Sequence, residues 1–162
     1  MKKFILLRSI LLIVCFASSL TLLSCKSKKA VAVVDKTIEP IKIDEVATVK
    51  KDGAYELGKR LLEACNTSRF KAFSSSEATD KVRQNATKEK ISNTCKKINQ
   101  RYGRYKGLTL IDVTHNKITD EYVFRYSIDY EKKYFKKELK VTINTDNKVS
   151  AIATQEIPTK PM

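Results

Sequence analysis

The chain has 162 residues and four cysteines, with 32 Lys and Arg against 18 Asp and Glu, a formal charge of +14. That length holds one domain and its appendages, and a single histidine with so few cysteines excludes a zinc site of ordinary ligand spacing. The basic excess would suit anionic lipid, an acidic polymer or nucleic acid. However, Lys far outnumbers Arg, and Lys has no fixed fork for reading phosphates or bases. Nucleic acid is therefore not an expected partner, and a Lys-rich solvated surface is the plainer account.

Met1-Lys2-Lys3 opens an apolar run that ends at Leu22-Leu23-Ser24-Cys25. Two basic residues, an apolar core and then small residues make the three-part pattern of a secretory leader. The competing reading is an uncleaved membrane helix, since 4–23 is long enough to span a bilayer. Arg8, Ser9, Ser18, Ser19 and Thr21 interrupt that stretch, and its uninterrupted apolar core, 10–17, suits a leader better.

A cysteine standing where cleavage would fall resembles the lipobox of bacterial lipoproteins, with Leu22 at −3, Ser24 at −1 and Cys25 at +1. The resemblance implies that residues 1–24 are removed, that the Cys25 thiol carries diacylglycerol, and that the new amino terminus is acylated. Two or more acyl chains anchor a protein stably in a membrane. Lys26, Lys28 and Lys29 follow at once. Each adds about 1 kcal/mol of attraction to anionic headgroups near the surface, or simply solvates a spacer. No Asp or Glu occurs before Asp35, so the acidic tag that sends some lipoproteins to the cell surface is missing. The expected location is the cell envelope, on the periplasmic side of the outer membrane.

Residues 25–52 read as the lipidated cysteine and a flexible tether. The stretch has no helical period, contains Pro40, and leaves room for a short strand near 41–49. The folded domain is expected over 53–157. Asp52 is placed to cap a helix in which Ala54, Leu57, Leu61, Ala64 and Cys65 form one apolar stripe. Asn66-Thr67-Ser68 breaks it. Phe70 and Phe73, three apart, predict a second short helix, and a polar helix follows over 77–85. Thr87 caps a longer helix to Tyr102, with Ile91, Cys95, Ile98 and Tyr102 on its buried stripe.

With Cys15 in the leader and Cys25 lipidated, Cys65 and Cys95 remain. Outside the cytoplasm a disulfide persists, and the pair fits either a disulfide or two buried thiols. A closed loop of about 30 residues would contribute roughly 3–4 kcal/mol.

After Gly107 the period changes from 3.6 to 2. Strands are expected over 108–115, 121–131, 134–144 and 149–157, joined by turns at 116–117, 132–133 and 146–147, with a tail over 158–162. In the second, Tyr122, Phe124, Tyr126, Ile128 and Tyr130 share one face. Helices followed by a meander of about four antiparallel strands define an α+β domain.

This order of elements, with Cys65-Asn66-Thr67 closing the first helix, the Phe70/Phe73 pair and the 87–102 helix, resembles the cystatin-like cone of the nuclear transport factor two superfamily. The resemblance implies a curved sheet around a hollow, used by members as an active site, a ligand pocket or a dimer surface. Three functions follow, and fold alone does not choose among them. An enzyme would need an Asp–His or Tyr–Asp pair in the hollow. The sole histidine, His115, stands at a strand end and is expected to be exposed, with Asp112 on the opposite face, so no catalytic residue is assigned. A small-ligand pocket would be lined by Tyr122, Phe124, Tyr126 and Tyr130, the plainer account being that these rings fill the core. An interaction module would bind an envelope protein or glycan, with Lys132, Lys133, Lys136, Lys137 and Lys140 as a basic edge or as guards of an edge strand. The expected function is that of a non-enzymatic binding or interaction module, without cofactor or metal.

Overall fold

The computed structural model describes residues 37–158. The leader, Cys25, the chain up to residue 36 and residues 159–162 lie outside the described residues. The protein is α+β. Its strands are β1 (Ile38–Ile41), β2 (Tyr105–Asn116), β3 (Glu121–Tyr130), β4 (Lys136–Ile143) and β5 (Val149–Ile157), and its helices are α1 (Thr48–Thr67), α2 (Asp80–Asn85) and α3 (Lys88–Tyr102). All five strands form one antiparallel sheet in the order β1-β2-β3-β4-β5.

The sheet has one strand more than expected. β1 lies in the stretch read as tether, pairing Ile38 with Asn116 and Ile41 with Val113, so the folded region begins well before residue 53. The short strand for which 41–49 left room lies earlier, as β1, and shares only Ile41 with that range; beyond it Ile43–Glu45 is a single 3-10 turn and α1 already starts at Thr48. Asp52 is therefore an interior residue of α1, and Ala47 occupies the cap position without a side-chain hydrogen bond. Burial of Val46 and Ala54 against the core outweighs the poor helix start.

The inner face of the sheet follows the expected alternation. Phe124, Tyr126, Ile128 and Tyr130 of β3 and Leu139, Val141 and Ile143 of β4 are buried, because side chains two apart on a strand share a face. α1 lies against them through Ala54, Leu57 and Leu62. Gly58 lets it come close: a Cβ there would sit 2.7 Å from Leu139 Cδ2. Ser68, with φ 55°, ends the helix in the left-handed conformation.

Phe70 and Phe73 make no helix. Their rings meet edge to face at 5.5 Å within an irregular stretch, and the Arg60 guanidinium covers Phe73 at 5.0 Å. Ala78 then forms a parallel bridge with Val149, which delays α2 to Asp80. α3 starts where expected, the Lys90 N–H donating to Thr87 Oγ1 at 3.3 Å. The turn between β3 and β4 is longer than Lys132-Lys133. Glu131 N–H bonds Arg104 O and Lys132 N–H bonds Tyr102 O, leaving Tyr134 and Phe135 exposed ahead of β4.

Candidate functional site

The C-terminal end of α1 is tied to the middle of α3. Cys65 and Cys95 form a disulfide, with 4.7 Å between Cα atoms, and Asn99 Nδ2 donates to Cys65 O at 2.7 Å. At its far end α3 rests on the sheet by stacking Tyr102 on Tyr130 at 5.2 Å. Toward β5, α3 leaves an apolar cleft along Ile91, Thr94 and Ile98.

Two continuous stretches make up that cleft. One, of about 170 Å³, lies over the disulfide and is lined by Leu61, Ile91, Thr94, Ile98, Ile152 and Thr154 among others. The other, of about 230 Å³, extends toward α2 and shares Leu61, Ile91 and Ile152 with the first, adding Lys81 and Val82. A third hollow of about 360 Å³ opens on the other flank of α3, where Cys65, Ile91 and Cys95 meet Phe70, Lys88 and Lys96. No Asp or Glu lines any of the three among the described residues.

The tyrosine ladder does not line this cleft. Phe124, Tyr126 and Tyr130 are at most 2 % exposed and belong to the packed core. Burial, with the neighbouring Tyr55 hydroxyl, pushes the Tyr126 phenol up; burial, with Tyr102 and Tyr105, does the same to Tyr130. Tyr122 is half-buried at the end of the sheet, stacked on His115 at 4.4 Å with Lys50 Nζ 5.1 Å from its ring centroid. The rings therefore fill the sheet–helix interface, as apolar area demands in a domain of this size.

His115 is half-buried rather than exposed, with Nε2 2.7 Å from Asp120 Oδ1. Asp112 faces elsewhere and is held by both Arg125 Nε, at 3.1 Å, and Arg125 Nη2. Arg125 Nη1 reaches Glu138 Oε2 at 3.7 Å, and Gln155 Nε2 donates to the same carboxylate at 3.3 Å. Asp112, Arg125, Glu138 and Gln155 thus join β2, β3, β4 and β5 across the outer face. Such a ladder pins strand register. The lysines read as a basic edge are dispersed, and β4 is an inner strand, so they guard no edge. Lys132 Nζ donates to Gln100 O at 2.8 Å, Lys133 pairs with Asp129, and Lys137 lies 5.1 Å from the Tyr102 ring centroid, where burial lowers its pKa.

The cleft residues carried no sequence signal of their own, because Leu61 and Ile91 sit on ordinary helical stripes and Ile152 on an ordinary strand. Asn66 was also missed. Its Nδ2 donates to Tyr105 O at 2.7 Å and its Oδ1 accepts from Tyr105 N–H at 3.0 Å, so one side chain closes the exposed margin of β2. Among the described residues no group of three or more His, Cys, Asp and Glu could hold a metal ion, and no helix is long and apolar enough to cross a membrane. No family model, curated protein or solved structure matches the chain.

Proposed function

We propose that the protein is a lipid-anchored envelope protein whose α+β domain is a non-enzymatic interaction module. The observation that carries the reading is Leu22-Leu23-Ser24-Cys25 behind a basic and apolar leader. Cys25 bears the lipid, residues 26–36 space the domain from the periplasmic side of the outer membrane, and the partner is an envelope protein or glycan. The domain is a variant of the cystatin-like cone in which the rings that would line a hollow are packed as core.

Binding rather than catalysis is supported by how the polar side chains are engaged. Asp112 is held by Arg125, His115 by Asp120, and Glu77 by the Ser74 N–H and Arg60. These pairs tie elements together and leave no acid–base couple facing the apolar cleft. A Cys25→Ser precursor tests the anchor: no labelled fatty acid should enter it and it should leave the membrane fraction. Retained label would overturn the lipoprotein reading. Crosslinking in the native envelope tests the module, which requires capture of a specific partner.

A further inference from the structure

β5 is an open template. Among the described residues it pairs with β4 alone, and only its first residue has a main-chain partner on the other side, Val149 exchanging hydrogen bonds with Glu77 O and Thr79 N–H. Arg101 clasps Glu156 at 2.8 Å near the far end. Between these two ties, residues 150–155 make no backbone hydrogen bond to any element other than β4 among the described residues. The sequence there, Ser150-Ala151-Ile152-Ala153-Thr154-Gln155, has no Lys, Arg or Pro, the residues that blunt an edge strand.

The apolar cleft runs along this same stretch, through Ile152 and Thr154. A strand added beside β5 would send alternate side chains onto that side and the others onto the outer face. On the outer face Ala153 stands next to Lys140 in register, and so small a neighbour leaves the lysine within reach of an added side chain. Lys81 stands at the α2 end of the cleft, and no Asp or Glu lines the cleft among the described residues. A second copy of the chain fits badly, because it would bring the same lysine-rich surface and a strong positive charge against itself.

We propose that the free edge of β5 and the cleft beside it form a strand-addition site for an extended partner segment in which apolar residues alternate with acidic ones. The inference rests on the reading of the domain as an interaction module and names the surface it uses. Main-chain hydrogen bonds to residues 150–155 hold the segment, its apolar side chains fill the space between Leu61, Ile91 and Ile152, and its carboxylates, on the outer face, meet Lys140.

The test titrates the full chain, in mild detergent, against a fluorescent peptide of alternating valine and aspartate and against the same peptide with alternate backbone nitrogens methylated. The first should bind, less tightly as salt rises, and the methylated peptide should bind about tenfold more weakly for want of main-chain donors. Lys140→Glu should weaken the first peptide by about tenfold, and Lys42→Glu, beside β1, should leave it unchanged. Equal binding of the two peptides would overturn the proposal in favour of an apolar groove that does not read a strand. So would indifference to the charge reversal, no binding at millimolar peptide, or self-association of the chain through β5. If envelope crosslinking captures a partner while the peptide fails, this site falls and the interaction module stands; failure of both removes both.

Discussion

The two margins of the sheet are built on opposite plans. At one, β1 is four residues long and contains Pro40, its Glu39 pairs with Lys117 at 2.7 Å, and it covers only 113–116 of β2. The rest of β2 is bent by irregular register between Tyr105 and Gly107 and between Leu110 and Asp112, and the Asn66 side chain occupies the main chain of Tyr105. Proline, charge, bulges and a side-chain cap are the means by which an edge is closed to strange strands. At the other margin β5 is nine residues long, has its one register shift at the Val149 end, is rich in small uncharged side chains, and is flanked by an apolar cleft that the disulfide-tied helices leave open. An edge is guarded where pairing would be harmful, and the unguarded one is the candidate for use.

The largest expected effect comes from the clamp beside β5. Replacing Cys65 and Cys95 together with alanine opens a loop of about 30 residues and should cost roughly 3–4 kcal/mol. Urea unfolding of the oxidised protein and of the double variant would read it, and equal midpoints would mean that the bond contributes nothing. Loss of the tie should also loosen the wall made by α3, so peptide binding at β5 should weaken while the β1 margin keeps its register.

Next in size is the cap on the closed margin. Asn66→Ala leaves the Tyr105 N–H and C=O without their partner and should cost about 1–3 kcal/mol. Asn66→Asp retains the acceptor for the N–H but sets its second oxygen against the Tyr105 carbonyl, and should cost at least as much. No change in either variant would show that β2 closes its own edge.

The smallest effect is absent at neutral pH. Tyr105, next to Asn66, has its hydroxyl pushed from 10.0 up to about 12, by burial first and then by Tyr55 and Glu63. The unfolded chain releases this proton near pH 10, so the native state binds it longer. Its contribution is complete below pH 10 and is lost as pH rises through about 12. Stability measured between pH 8 and about 12 should therefore fall from about pH 10, with Tyr126 and Tyr130, raised by burial in the same sense, adding to the loss; Tyr105→Phe should make the fall shallower, and an unchanged slope would contradict this.

Much of the closed core was legible. β3 alternates strictly from Tyr122 to Tyr130, and α3 carries both a Thr87 cap and a clean stripe, so local period and tertiary burial agree there. β1 was not legible: four residues including a proline give no period, and their partners lie some 75 residues on, a pairing that only the folded sheet reveals. The start of α1 was masked by Thr48 and Val49, β-branched residues behind an uncapped Ala47, while Asp52-Gly53 imitated a beginning. Phe70 and Phe73 have a spacing that helix and irregular coil both satisfy. The cleft was the least legible feature, since Leu61, Ile91 and Ile152 each look like core, and only the stand-off of α3 from β5 leaves them partly uncovered.

Residue-resolved amide exchange on the full chain, with and without the alternating valine–aspartate peptide, tests the difference between the two margins most directly. The account predicts slowed exchange within 150–155 and at the Ile91 side of the cleft, with no change at Ile38–Ile41. Protection at β1, or equal protection at both margins, would contradict it.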